Sequence, residues 1–181
     1  MASNIRSQSS HHSFMDYSDD IHANLPGVIV PQAAYVPQHG QMVNPPLPSI
    51  RFVHNNIPAI RLRDALASPN LPGLRGARTA PTLSNTGMRV TLRIHWPGYP
   101  NWRQENGIDL FDHTYQANPL TFERIAHKVA RLVKMFYDDM QHNVGTEPSW
   151  QLQGIPFDNL YLVELRHVSR GSWQPVICWN P

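Results

Sequence analysis

The sequence predicts an α+β protein: a small, mainly antiparallel sheet of order β-α-β-β, covered on one face by a single amphipathic helix. Three observations predict it. Met88, Val90, Leu92, Ile94 and Trp96 alternate with Arg89, Thr91, Arg93 and His95, the period of a strand with one buried face. Between about Asn118 and Gln141 the apolar residues recur at helical spacing and gather on one side. Asn159–Val168 and Trp173–Trp179 are two further strand-like runs, joined by a tight turn at Ser169–Ser172 in which Gly171 accepts the positive φ that hairpins demand.

Taken from the N-terminus, residues 1–85 read as a Pro-rich, largely disordered arm. Ten of the 17 prolines lie before residue 86, whereas all five tryptophans lie beyond it. Residues 1–48 show no sustained period of 2 or 3.6 and bury too little apolar surface to offset the entropy of ordering. Leu25–Val30 and Ala33–Val36 stand in that stretch as apolar islands, either incidental or short docking motifs. Residues 49–66 are singled out as a docking segment. Ser49–Val53 has strand composition, and a short helix is expected to begin around Asn56, Ile57 and Pro58, with proline in its first turn. Arg61, Arg63, Arg75 and Arg78 then give the linker a local positive bias.

Residues 86–181 are expected to form the folded α+β domain. Pro97-Gly98 stops the first strand. The segment Tyr99–Asn118 reads as a long loop whose Trp102, Phe111 and Tyr115 cover an edge of the core. The helix, residues 119–141, is expected to open at Asn118-Pro119 as N-cap and first position. Phe122, Ile125, Val129, Leu132, Val133, Phe136 and Met140 form its apolar face, opposite Arg124, His127, Lys128, Arg131 and Lys134. In the next strand Tyr161, Val163 and Leu165 are expected to face one way, and Leu160, Leu162, Glu164 and Arg166 the other. Pro175 cannot donate to a ladder, so the last strand is placed at an edge or a bulge.

Composition excludes several classes. One cysteine, Cys178, rules out an internal disulfide framework or a cysteine-based zinc site. No run approaches the ~18 apolar residues of a membrane span, and the first twenty residues lack a secretory apolar core. An intracellular protein, cytoplasmic or nuclear, without membrane association is expected. Net charge is +2, and residues 86–181 hold nine basic and nine acidic side chains, which argues against strong nonspecific nucleic-acid affinity.

No signature of a serine hydrolase, P-loop protein, dinucleotide enzyme or zinc protease is present. Asp109, Asp112 and His113 are the best acid–base candidates, since a carboxylate can orient an imidazole near the amides that open the helix. His95, His127, His142 and His167 match no metal-ligand spacing, and His11-His12 could bind a metal only adventitiously. No metal, cofactor or small-molecule ligand is expected. Cys178, between Ile177 and Trp179, reads as a buried thiol. The basic stripe of Arg124, Lys128, Arg131 and Lys134 is the one feature that points to a partner.

Arg93–Tyr99 (RIHWPGY), the helix opening Asn118–Thr121 (NPLT) and Ile155–Leu162 (IPFDNLYL) resemble segments of small uncharacterised proteins of mushroom-forming fungi. The resemblance covers about Met88 to Trp179 and implies no activity. The leading expectation is a non-enzymatic protein-interaction or scaffold module, acting on a protein partner or on a second copy of itself. Abundant aromatics with sparse charge motivate it. The alternatives are nucleic-acid binding through the basic face of the helix and an enzyme that uses the 109–113 loop.

Overall fold

The computed structural model describes residues 24–36, 46–83, 86–100, 102 and 107–181. The Ser- and His-rich stretch with His11-His12 lies outside these. The described chain is α+β, with one long helix on a mixed sheet of seven strands. Only one pairing among them is parallel.

The centre of the sheet is the hairpin of β6 (Leu160–Ser169) and β7 (Ser172–Trp179). The face assignment expected for β6 holds only to Val163. A bulge between Leu162 and Glu164 inserts a residue, so Leu165 joins Leu160 and Leu162 in the main core while Tyr161 and Val163 face the other side. Glu164, 2% exposed, is met by Arg166 Nε at 2.5 Å and Arg51 Nε at 3.4 Å.

The last strand is interior rather than at an edge. Beyond β7 lie two partners in succession: β4 (Arg89–Leu92), parallel at Ser172 and Trp173, and β1 (Val28–Ile29), antiparallel at Cys178 and Trp179. The carbonyls of Trp173, Pro175 and Ile177 face this flank, accepting from Arg93 N, Gln32 Nε2 and Val30 N. Pro175 therefore sits in the gap between two ladders, where its missing N–H costs nothing.

The sheet reaches back beyond residue 86. β2 (Ile50–Arg51) and β3 (Ile60–Arg61) pair with β6 on its outer flank. Between them Asn55 and Asn56, at φ 51° and 63°, form a two-residue turn closed by reciprocal bonds between His54 and Ile57. That is hairpin geometry of the primed kind, not the helix start expected there. The short helix α1 comes later, at Leu62–Ala67, and packs on the long helix. Leu25 and Ile29 pack on the second face of the sheet beside Tyr161, Val176 and Cys178.

The expected 99–118 loop contains a strand, β5 (Gly107–Asp109), antiparallel to β4. Trp102 is buried and Phe111 packs on the core, but Tyr115 is fully exposed and covers nothing. The parallel β4–β7 pairing needs a long crossover, which the long helix α2 (Phe122–Met140) supplies across the sheet. α2 starts at Phe122, not at Pro119. Pro119 bridges Phe111 instead, and the first-turn amides of Phe122 and Glu123 donate to Thr79 O and Ala77 O. The apolar face lies as expected: Ile125, Val129, Val133 and Phe136 are buried, and Phe136 touches both Trp96 and Trp102. At ~1.5–3 kcal/mol for each buried large apolar side chain, this face holds α2 on the sheet. Pro148–Trp150 and Leu152–Gly154 form two 3₁₀ turns before β6. No helix of the described residues is long and apolar enough to cross a membrane.

Candidate functional site

Two of the expected site groups meet in space. The loop after β5 folds over the N-terminal half of α2, and α1 ends beside the same place. Phe111, Asp112, His113, Leu120, Arg124, His127 and Lys128 line an open cleft of ≈ 460 Å³, together with Pro69 and Asn70 beyond α1. The floor is apolar and the rim is cationic.

Asp109 organises the rim. It stands opposite Arg89 in the β4–β5 register, accepts from Arg89 Nη1 at 3.3 Å and pairs with Lys128 Nζ at 3.2 Å; His113 Nε2 lies 3.5 Å away. Burial pushes its carboxyl up, but Lys128, Arg89 and His113 outweigh that and hold it below the usual carboxylate range. Lys128 is thereby fixed against the β5 edge instead of trailing in solvent.

Asp112 has a different task from the one expected of it. Its Oδ1 accepts from Thr114 Oγ1 at 2.6 Å, Asn118 N at 2.9 Å and Thr114 N at 3.2 Å, and its Oδ2 from Asn118 Nδ2 at 3.3 Å. These bonds, the Thr114 hydroxyl foremost, hold its carboxyl below the ordinary value. Asp112 closes the 112–118 turn, and the imidazole of His113 meets Asp109. The same turn holds Ala117 at φ 47°, a left-handed conformation costly for a residue with a Cβ.

The basic stripe is not one surface. Arg124 and Lys128 line the cleft; Arg131 lies farther along the helix, exposed, and Lys134 is bound to Asp138 at 2.6 and 2.7 Å and lies over the Phe157 ring. His127 Nδ1 donates to Ala65 O at 2.8 Å.

Pro69, Asn70 and the acceptor Ala65 escaped sequence reasoning, because no period or motif ties residues 65–70 to residues 111–128. The other histidines do not converge. His95 Nδ1 is at Ala33 O, His167 Nδ1 accepts from Leu47 N, and His142 is exposed. Among the described residues no group of three or more His, Cys, Asp or Glu is placed to hold a metal ion. Cys178 is fully buried and its thiol is pushed up to about 12.

Chemically, the cleft presents two cations, two imidazoles, the Asp112 carboxyl and an apolar floor. Both carboxyls near it are ionised at neutral pH, so neither can serve there as a general acid. Compared with protein-family models, with curated proteins and with solved structures, the chain matches none.

Proposed function

We propose that this protein is a non-enzymatic interaction module that takes an acidic segment of a protein partner in the cleft between the 111–120 loop and α2. One observation carries the reading: Arg124 and Lys128 rim an apolar floor of Phe111 and Leu120 in a single open cleft. A carboxylate of the partner would meet Arg124, Lys128, held on Asp109, would add its charge to the rim, and an apolar side chain of the partner would seat on the floor. Such a pairing of a buried apolar anchor with a charged rim is what gives interfaces both affinity and register.

The test is photo-crosslinking from position 70, with the full chain carrying a photoreactive residue in place of Asn70. Arg124→Glu is expected to abolish capture of the partner at unchanged melting temperature, because Arg124 is exposed. Arg131→Glu, farther along the same helix face, is expected to leave capture intact. Nucleic acid binding is the second reading, favoured by the exposure of Arg124 and Arg131 on one face of α2. It predicts that both reversals act equally, that the captured species is nucleic acid, and that binding falls steeply with salt.

A further inference from the structure

Nothing among the described residues neutralises Arg124. Lys128 is tied to Asp109 and Lys134 to Asp138, whereas Arg124 is exposed and makes no hydrogen bond or ion pair with a described residue. Phe111 and Leu120 form the cleft floor beside it. Asp112 also lines the cleft, but its two oxygens are engaged by Thr114 and Asn118. The site is therefore complementary to a short segment that carries carboxylates around an apolar side chain.

The chain carries such a segment itself. Residues 14–21, Phe-Met-Asp-Tyr-Ser-Asp-Asp-Ile, lie outside the described residues, and no Lys or Arg occurs between Arg6 and Arg51. Asp16, Asp19 and Asp20 are three of the four acidic residues before residue 86; the fourth, Asp64, is on α1. Phe14, Met15, Tyr17 and Ile21 stand among and beside them. The reach also fits. Leu25 packs on the cluster that includes Tyr161, whose Oη accepts from Arg61 Nη2 at 3.0 Å. Arg61 leads directly into α1, and Asn70 beyond its end lines the cleft. From Leu25 back to Tyr17 an extended chain spans up to about 26–29 Å, roughly three times the ~9 Å rise of α1.

We infer that residues 14–21 occupy the Arg124 cleft of their own chain and must be displaced before a partner's acidic segment enters, an inference that rests on the cleft being a site for acidic segments. The carboxylates of Asp16, Asp19 and Asp20 supply the charge that meets Arg124. Tyr17 stands among them, and its amphipathic ring seats on the Phe111–Leu120 floor. A tethered segment acts at an effective concentration on the order of 1 mM. With an intrinsic Kd of about 0.1 mM it keeps the cleft about nine-tenths filled, so a competing segment binds about tenfold more weakly.

The test is an NMR titration of two isotope-labelled full chains, the native one and Asp16→Asn/Asp19→Asn/Asp20→Asn, with a synthetic peptide of residues 12–23. The triple substitution is expected to shift the amides of His113, Arg124 and Lys128 and to leave that of Arg131 in place. Added peptide should bind the triple variant and move those amides back toward their native positions. It should bind the native chain about tenfold more weakly. Arg124→Glu, introduced into the triple variant, should abolish peptide binding at unchanged melting temperature. Cleft amides that ignore the triple substitution would overturn the inference. Native amide positions that change with protein concentration would overturn docking within one chain in favour of docking between copies. Equal, Arg124-dependent binding of the peptide to both chains would leave the cleft a site for acidic segments that residues 14–21 do not occupy. No binding of the peptide to the triple variant, together with no capture from position 70, would overturn both readings.

Discussion

Gln32→Ala tests whether the segment 24–36 is an integral part of the sheet. Gln32 is 2% exposed; its Nε2 donates to Pro175 O at 2.6 Å and its Oε1 accepts from His95 N at 3.0 Å. Truncation leaves one buried acceptor and one covered donor without partners, each worth about 1–3 kcal/mol. Water entering the vacated space relieves part of this, so the expected loss is about 2–4 kcal/mol in total. Val30, 0% exposed, belongs to the same core cluster as Leu162, which couples the segment to global unfolding. The assay is urea denaturation with the slope compared between variants, together with amide exchange at Val30 and His95. Both amides are expected to exchange faster, and the midpoint to fall at constant slope. A loss below about 0.5 kcal/mol with unchanged protection at His95 would refute the reasoning, because it would mean that the Gln32 clamp seals nothing. Gln174→Ala, which removes the reciprocal bonds to Ala33 O and Tyr35 N, is the matching variant from the sheet side.

Cys178 is expected to resist alkylation in the native protein and react promptly in denaturant. A thiol pushed up from 9.0 to about 12 has roughly a thousandth of the ordinary thiolate fraction before burial is counted. Burial lowers the pKa of His95 and of His167 below the ordinary 6.5, so each favours the neutral ring in the folded chain. Their contribution to stability is present above pH 6.5 and is lost as pH falls from there through the lowered folded values. Melting temperature should therefore fall on acidification, and His167→Asn, which keeps an acceptor for Leu47 N and cannot protonate, should flatten the fall. Ala117→Gly should stabilise by about 0.5–1 kcal/mol, measured by chemical denaturation, because glycine adopts the φ of 47° without a Cβ clash. Phe136→Ala should cost about 3–5 kcal/mol in the same assay, since it removes the ring that Trp96 and Trp102 both contact.

What was legible in the chain is what depends on near neighbours. The alternation from Val90 to Trp96, the tight turn between β6 and β7 and the apolar face of α2 are each written within a few residues and the structure keeps them, but the β4 ladder covers only Arg89–Leu92, Met88 is exposed, and Gly171 does not take the positive φ expected of it. The two-residue strands β1, β2 and β3 are not written that way. Ile50-Arg51 and Ile60-Arg61 are strands because β6 offers them a flank, and Val28-Ile29 because β7 does. Asn55-Asn56 is a turn signal, since asparagine tolerates positive φ, but Pro58 two residues on equally suits the first turn of a helix. Pro175 cannot donate, yet it does not mark an edge, because a strand can have a different partner on either side of one residue.

The candidate sites show the same limit at the level of charge. A stripe of four cations on one helix face predicts one continuous surface only if nothing else approaches that face. Here β5 brings Asp109 to Lys128, Asp138 claims Lys134 from within the helix, and the end of α1 walls in Arg124. The tertiary partners thus decide which cations remain to meet a ligand. The contact between Arg93 and Ser172 makes the point more sharply. Arg93 and Ser172 stand 79 residues apart, and neither the alternation that placed one on a strand nor the turn signal that placed the other beside Gly171 implies that they touch. The parallel β4–β7 pairing joins them, and that pairing exists because α2, with its apolar face, carries the chain back across the sheet.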